Sequence, residues 1–585
     1  MVSDRVSGTV AEPNGVAMHE LIINGVTLLD GTGSPGRLAS VAVSDGVISE
    51  VADGVGAIDA AAREVVDGTG LVLCPGFIDP HTHYDAQLFW DPSASPSNLH
   101  GVTTIVAGNC GFTLAPLAPG DADYLRRMMA KVEGMPLAAL EQGVDWEWES
   151  FGDYLGRLDG RLGVNAAFMV GHCALRRRVM GTAAVGNEAT PEQIDEMVAL
   201  LHQAIEAGGL GFSTTLARTH SDGDGQPVAS RWASTEELLA LARAVGEHPG
   251  TQLEFASDGC LDGFSDDEVE FMIQFAKAAD RPLNWNVLTV DSHDPERYRN
   301  QLAAMDRCRE AGVQVVALTM PILVGMNMSF GTYCALNMLP DWGPILGLPK
   351  VARLACLRDA DVRRYLQERA KSPEAGVFAR LTGWERYVIG DTYADPSLKG
   401  REVSELAAER GVEPFDALLD VVVADELRTV LWPGPTDDDD ESWRLRAQAW
   451  DHPSVMIGGS DAGAHLDRMC GPPYTTQWLG DCLRGRRLTT VERAVQHLTE
   501  VPAQLFGFSD RGRVAEGYRA DLVLFDPETI DAGPIELRHD LPGGTGRLVA
   551  PSVGVRRVWV AGQETVRDGE ATGQLPGRIL RSGSE

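Results

Sequence analysis

The sequence predicts an α/β protein: a (β/α)8 TIM-like barrel carrying a small β-sandwich domain formed by the N- and C-terminal segments. Three observations lead there. Eight short apolar runs recur through the middle of the chain with helical patterns between several of them. Both ends have the texture of short strands and tight turns. Neither end carries enough apolar surface for a core of its own, so the two ends are expected to pack on each other with the barrel inserted between them.

Residues 1–17, rich in small and polar residues, read as a flexible tail. From residue 18 to 70, Leu21-Ile22-Ile23 precedes Asn24-Gly25, and Val41-Ala42-Val43 precedes Asp45-Gly46 and then Val47-Ile48. These are hairpin signals. The barrel is expected over 71–509, with strands at 71–79, 102–106, 164–170, 210–214, 252–256, 283–288, 313–318 and 455–458. Thr190 with Gln193, and Ser234 with Glu237, have the spacing of capping boxes at helix starts. The seventh and eighth strands stand much farther apart than one helix requires, which marks an insertion at about 320–450. Its piece 320–348, with Met326, Met328, Phe330, Trp342 and Leu346, is expected to cover the site and wall part of a substrate pocket. The acidic run 437–441 reads as a solvated turn. Residues 510–585 return to β texture and complete the sandwich.

With 585 residues and a formal charge of −34, the chain suits neither nucleic acid nor an anionic membrane as a partner. Nine scattered cysteines fit a reducing compartment better than a disulfide framework. No apolar run has the length of a membrane span and no secretory segment follows Met1, so a cytoplasmic location is expected. A homo-oligomer is compatible with all of this.

The chemistry gathers at Cys74-Pro75-Gly76-Phe77-Ile78-Asp79-Pro80-His81-Thr82-His83. Strand side chains alternate faces, so His81 and His83 point the same way at a strand's end and can grip one divalent ion, zinc above others. Two surface histidines in a loop have the same bare spacing. The leading strand and the later Cys110 and Asp461 favour the metal.

These residues, with Gly108-Asn109-Cys110-Gly111-Phe112, Gly171-His172 and Gly459-Ser460-Asp461, resemble the amidohydrolase superfamily. The nearest branch is that of the N-acyl-D-amino-acid deacylases (D-aminoacylases), whose chain end is similar to Arg557-Val558-Trp559-Val560 and Pro576-Gly577-Arg578 here. The resemblance implies a zinc-dependent hydrolase that cleaves a small-molecule amide. It implies His81, His83 and Cys110 as metal ligands, and Asp461 as both ligand and catalytic proton carrier. His172 matches a family histidine and is expected at the substrate or the metal shell, or else as a satisfied core residue. His220 follows the fourth strand and is a second expected substrate contact, although, like His293, it reads first as a polar loop residue.

Two strands depart from the family. Glu254 falls about where the family has a histidine on the fifth strand, and the sixth, Leu283-Asn284-Trp285-Asn286-Val287-Leu288-Thr289, has neither the family's histidine nor the substrate-gripping lysine two residues after it. Glu254 is therefore expected as a ligand or a partner of one. One zinc per chain is favoured over two, and the substrate is expected to differ from N-acyl-D-amino acids. A deaminase or decarboxylase on the same scaffold, and a non-catalytic scaffold or interaction protein, stay open as alternatives.

Overall fold

The computed structural model describes residues 18–583, so the expected tail at 1–17 lies outside the described residues. The chain is α/β, as expected. Strands from both of its ends pair in one nine-stranded sheet. Glu570–Ala571, Gln563–Arg567, Val555–Val560 and Leu522–Phe525 lead to Val72–Pro75, then His19–Leu28, Arg37–Ser44 and Val47–Asp53, with Ala62–Asp67 beside His19–Leu28. Leu21, Ile23, Val41, Val43, Leu73, Leu522, Leu524 and Trp559 bury one face of it.

The local turn signals divide. Asp45 and Gly46 both have positive φ, at 52° and 71°, and join paired strands as the two-residue turn that the right-handed strand twist favours. Asn24-Gly25 is not a turn. The chain runs straight through it as His19–Leu28, and the pairing register shifts between Ile23 and Val26. The asparagine–glycine pair is a bulge within one long strand, because residues on both sides of it find partners on Arg37–Ser44.

The expected strand 71–79 also divides. Val72–Pro75 runs antiparallel to Leu522–Phe525 in the mixed sheet, whereas Phe77–Asp79 pairs parallel with Val102–Ala107. Gly76 is the joint, and a Cβ there would lie 2.1 Å from Thr103 Oγ1. In chain order the parallel strands are β1 (Phe77–Asp79), β2 (Val102–Ala107), β3 (Asn165–Phe168, resumed after Met169 as Val170–Gly171), β4 (Gly211–Thr215), β5 (Gln252–Ala256), β6 (Leu283–Trp285), β7 (Val315–Thr319) and β8 (Val455–Ile457). The order is β1-β2-β3 in one sheet and, from the second piece of β3, β4-β5-β6-β7-β8 in another. Just past β1 and β8, Thr82 and Ala462 form a parallel bridge, and His83 N–H donates to the Ala462 carbonyl at 2.7 Å.

Thr190 and Gln193 make both hydrogen bonds of a capping box at the helix Pro191–Glu206. At Thr235–Gly246 only half forms. Ser234 caps the Glu237 N–H, but the buried Glu237 carboxylate turns inward to His172 and Arg176. The acidic run is a helix start rather than a solvated turn: Asp439 caps Asp440–Trp450, Asp437 pairs with Arg446, and Asp438 pairs with Arg486.

Between β7 and β8 the chain builds a separate core around Met328, Phe330, Leu336, Trp342, Trp384, Tyr387, Phe415 and Leu418. Trp342 and Trp384 stack with ring centroids 5.8 Å apart. Met328, Phe330, Trp342 and Leu346 are therefore not pocket walls: they bury one another, because a segment this long needs its own apolar interior to hold shape. The segment does reach the face where β8 ends. Asn327 N–H donates to the Arg468 carbonyl, and Met326 bridges Met469.

Candidate metal centre

His81 and His83 leave the end of β1 on one face, as the alternation requires, and both are fully buried. Their rings sit 5.2 Å apart between centroids. From the turn after β8, Asp461 Oδ1 comes within 3.3 Å of His81 Nε2 and 3.4 Å of His83 Nε2. From the turn after β2, Cys110 Sγ comes within 3.7 Å of His81 Nε2. One donor atom from each of His81, His83 and Cys110 lies within 4.8 Å of the other two.

The backbone is bent to do this. Cys110 and Asp461 both hold left-handed conformations, at φ 54° and 56°, which non-glycine residues adopt at a cost and which cluster at functional sites. Asp85 and Asp79 tie the turns down. Asp85 Oδ2 accepts from Gly108 N–H at 3.2 Å, and Asp79 accepts from the Ser460 hydroxyl.

The donor set fits a borderline divalent ion such as zinc: two imidazole nitrogens, a thiol sulfur and a carboxylate. Asp461 Oδ1 is near both Nε2 atoms yet makes no hydrogen bond of acceptable geometry, and Glu254 Oε1 is buried without any partner. Lone pairs converging in this way suit a shared cation better than they suit one another.

Electrostatics say the same. Burial, reinforced by the neighbouring carboxylates, pushes the Cys110 thiol well up. Burial also lifts Glu254 to about 8, Glu133 to about 7 and Asp85 to about 6. At His83 burial opposes the proton, but Glu133, Asp461 and Asp85 outweigh it and raise the imidazole to about 9. At Asp461 burial opposes ionisation, and the two imidazoles outweigh that and hold the carboxyl well below its usual range. A cation among these groups would relieve several buried ionisable groups at once.

Glu254, on β5, reaches the site by its other oxygen, which accepts from Cys110 N–H at 2.8 Å. Asn286, just past β6, places Nδ2 at 3.2 Å from His81 Nε2 and Oδ1 at 4.0 Å from Cys110 Sγ. His220 binds Thr215 Oγ1 at 2.7 Å and meets the edge of Phe112, while burial lowers it to about 3. Phe112 stands two residues after Cys110, so His220 lies beside the turn that carries the thiol.

His172 stands apart. Its Nδ1 meets Thr214 Oγ1 and its Nε2 meets Glu237 Oε1, each at 2.8 Å, so both nitrogens are taken inside the core. His293 is exposed beside Asp291.

Sequence reasoning missed Glu133 and Asp85. Asp85 continues the alternation of His81 and His83, a readable signal. Glu133 has none, since it caps a helix in the long excursion between β2 and β3. A cleft of about 440 Å³ lined by Ile322, Trp443, Arg484 and Asp531 contains none of these residues. Convergence of donors identifies the site, not volume.

Comparison with known proteins gives the same centre a context. The model of the amidohydrolase family matches residues 64–566. The D-aminoacylase of Alcaligenes xylosoxydans xylosoxydans is 30% identical over 569 residues, covering 96% of this chain and 97% of that protein. A solved D-aminoacylase, studied for one-metal activation and second-metal attenuation at its binuclear centre, superposes with a TM-score of 0.65 at 28% identity, over 96% of this chain and all of that one. The N-acyl-D-glutamate deacylase of Bordetella bronchiseptica, solved with zinc and a phosphonate mimic of the tetrahedral intermediate, gives 0.63 at 26% identity, over 97% of this chain and all of that one.

Proposed function

The chain belongs to the amidohydrolase family, within it to the D-aminoacylase branch, and on that premise we propose that it hydrolyses the amide C–N bond of a small acylated molecule at one divalent metal held by His81, His83, Cys110 and Asp461. The observation that carries the reading is the approach of Asp461 Oδ1 to both Nε2 atoms, at 3.3 and 3.4 Å, without a hydrogen bond to either. A scaffold protein has no use for such a set.

We read β1 to β8 as one barrel, with the bridge between Thr82 and Ala462 joining its first and last strands. The mixed sheet of both chain ends is then the flanking sandwich. His81, His83, Cys110 and Asp461 follow the C-terminal ends of β1, β2 and β8, where barrel enzymes carry their chemistry, and Glu254 sits within β5.

Zinc is the ion the donors suit. When bound, such an ion supplies Lewis acidity, acidifying a water and polarising a carbonyl. The residues do the rest. Asp461, ionised and 27% exposed at its side chain, takes the proton from the attacking water and delivers it to the leaving nitrogen. Glu254 fixes the Cys110 turn through the backbone N–H, and its second oxygen is buried without a partner. His220 lies where it can touch the substrate.

The departures at β6 shape the substrate. Neither Asn284 nor Asn286 has the cation that the family uses to grip a carboxylate. The substrate is therefore other than a simple N-acyl-D-amino acid, for example a larger or a cyclic amide. The test is elemental analysis of the purified chain combined with a hydrolysis screen across N-acyl-D-amino acids, bulkier N-acyl amines and cyclic amides. Bound metal with turnover of an amide supports the reading; a chain that binds no metal and hydrolyses none of them overturns it.

A further inference from the structure

Glu133 ends the helix Ala122–Val132 and is 3% exposed. Its carboxylate lies 3.6 Å from His83 Nε2, beyond hydrogen-bond distance. Nothing in the helix favours a negative charge there, because the C-terminal end of a helix already carries partial negative charge. Yet the residue is pinned from two sides. Its carbonyl accepts from His465 N–H, in the same turn as Asp461, and a Cβ on the following Gly134 would lie 3.0 Å from the Arg468 guanidinium and 3.1 Å from His465 Nδ1.

Which nitrogen it approaches decides its role. A carboxylate that orients a ligating histidine binds the ring nitrogen turned away from the metal. Glu133 approaches Nε2, the same nitrogen that Asp461 Oδ1 approaches, and His83 Nδ1 is buried without a partner. An Nε2 that gives its lone pair to a metal has no proton to donate, so Glu133 has nothing to accept from it. The carboxylate is on the metal's side of the ring.

We propose that Glu133 is a further ligand of the divalent cation, joining Asp461 on the His83 flank of the site while Cys110 serves the His81 flank. This rests on the metal reading above and adds a carboxylate ligand from the excursion between β2 and β3.

The test uses the full-length chain, stripped of metal by chelator dialysis and reloaded with Co²⁺ alone. Affinity is read by competition with a chromophoric chelator, and coordination from the visible d–d bands. Glu133→Gln should weaken Co²⁺ by at least about tenfold and change the bands. Glu141→Gln, on an exposed surface nearby, should do neither. A Glu133→Gln protein with the parent affinity and spectrum overturns the proposal and leaves the metal reading standing. A parent chain that takes up no Co²⁺ overturns both. Should the Gln variant melt unlike the stripped parent, Glu133→Asp decides. It keeps the charge and withdraws the oxygens by one methylene, so an affinity between parent and tenfold loss supports ligation, and parent affinity with a parent spectrum overturns it.

Discussion

Glu254 on β5 accepts a hydrogen bond from the backbone N–H of Cys110 at 2.8 Å, holding the thiol-bearing turn in its left-handed conformation. The residue standing at the family's histidine position is thus at least a brace for another ligand. Glu254→Gln keeps an acceptor for that N–H and should retain most of the metal. Glu254→Ala leaves a buried N–H unsatisfied, at a cost of about 1–3 kcal/mol, and should lower metal content too. Urea unfolding with elemental analysis separates them. Equal behaviour of the two variants would mean that the brace does not matter.

Asp461→Asn should lower turnover by about a hundredfold to ten-thousandfold, the range of a lost general base, because an amide takes no proton from the attacking water. Metal content should fall less, since His81, His83 and Cys110 remain to hold the ion. Turnover near the parent rate on any substrate that the parent hydrolyses would remove Asp461 from the role.

How much of this was readable beforehand depends on whether neighbours in sequence or neighbours in space set the outcome. His81 and His83 were readable because strand alternation alone puts them on one face. The division of residues 71–79 at Gly76 was not, because it is set by Thr103 pressing from β2. Asn24-Gly25 carries a turn signal, but the partners waiting on Arg37–Ser44 made it a bulge. The apolar density at Met328 and Trp342 was visible, yet hydrophobicity does not say which core a residue joins, and these build the insertion's own. Glu133 comes within 3.6 Å of His83 from a turn packed at Gly134 against His465 and Arg468, a packing fact without a local trace.

Glu237 shows the same limit. The buried Glu237 carboxylate joins His172 and Arg176, both fully buried. Glu237→Ala strands a buried guanidinium and should cost about 3–5 kcal/mol in urea unfolding. Turnover per folded molecule should hold, since the network is not at the metal-ligand candidates. A variant as stable as the parent would show that the buried pair contributes nothing.

His100 gives a pH dependence. It is buried between Thr476 Oγ1 at 2.7 Å and the Ala550 carbonyl at 3.0 Å, and burial lowers its pKa to about 4. The unfolded chain takes the proton below about 6.5. Between those values the unfolded state binds more protons, so stability falls as pH falls, by up to about 3 kcal/mol at the lower end. The buried His81, His172 and His497 contribute the same sign and His83, whose pKa is raised, the opposite one, so the difference between parent and His100→Gln isolates this residue. Parallel stability curves for the two proteins between pH 6.5 and 4 would rule the contribution out.

The last prediction is the number of metals. A second ion on the β5–β6 side would have Cys110 Sγ to share, Glu254 and the two asparagines. One oxygen of Glu254 is committed to Cys110 N–H, and Asn284 Nδ2 to the Leu253 carbonyl. What remains is one free carboxylate oxygen and carboxamides, which are poor zinc ligands beside imidazole or thiolate. On the other flank His83, Asp461 and Glu133 converge, so the additional carboxylate strengthens the first position instead of building a second. Elemental analysis after exhaustive dialysis should therefore find close to one zinc per chain. A value near two would place a second ion against Glu254 and refute the single-metal reading, and a value near zero would favour a barrel that has lost its chemistry.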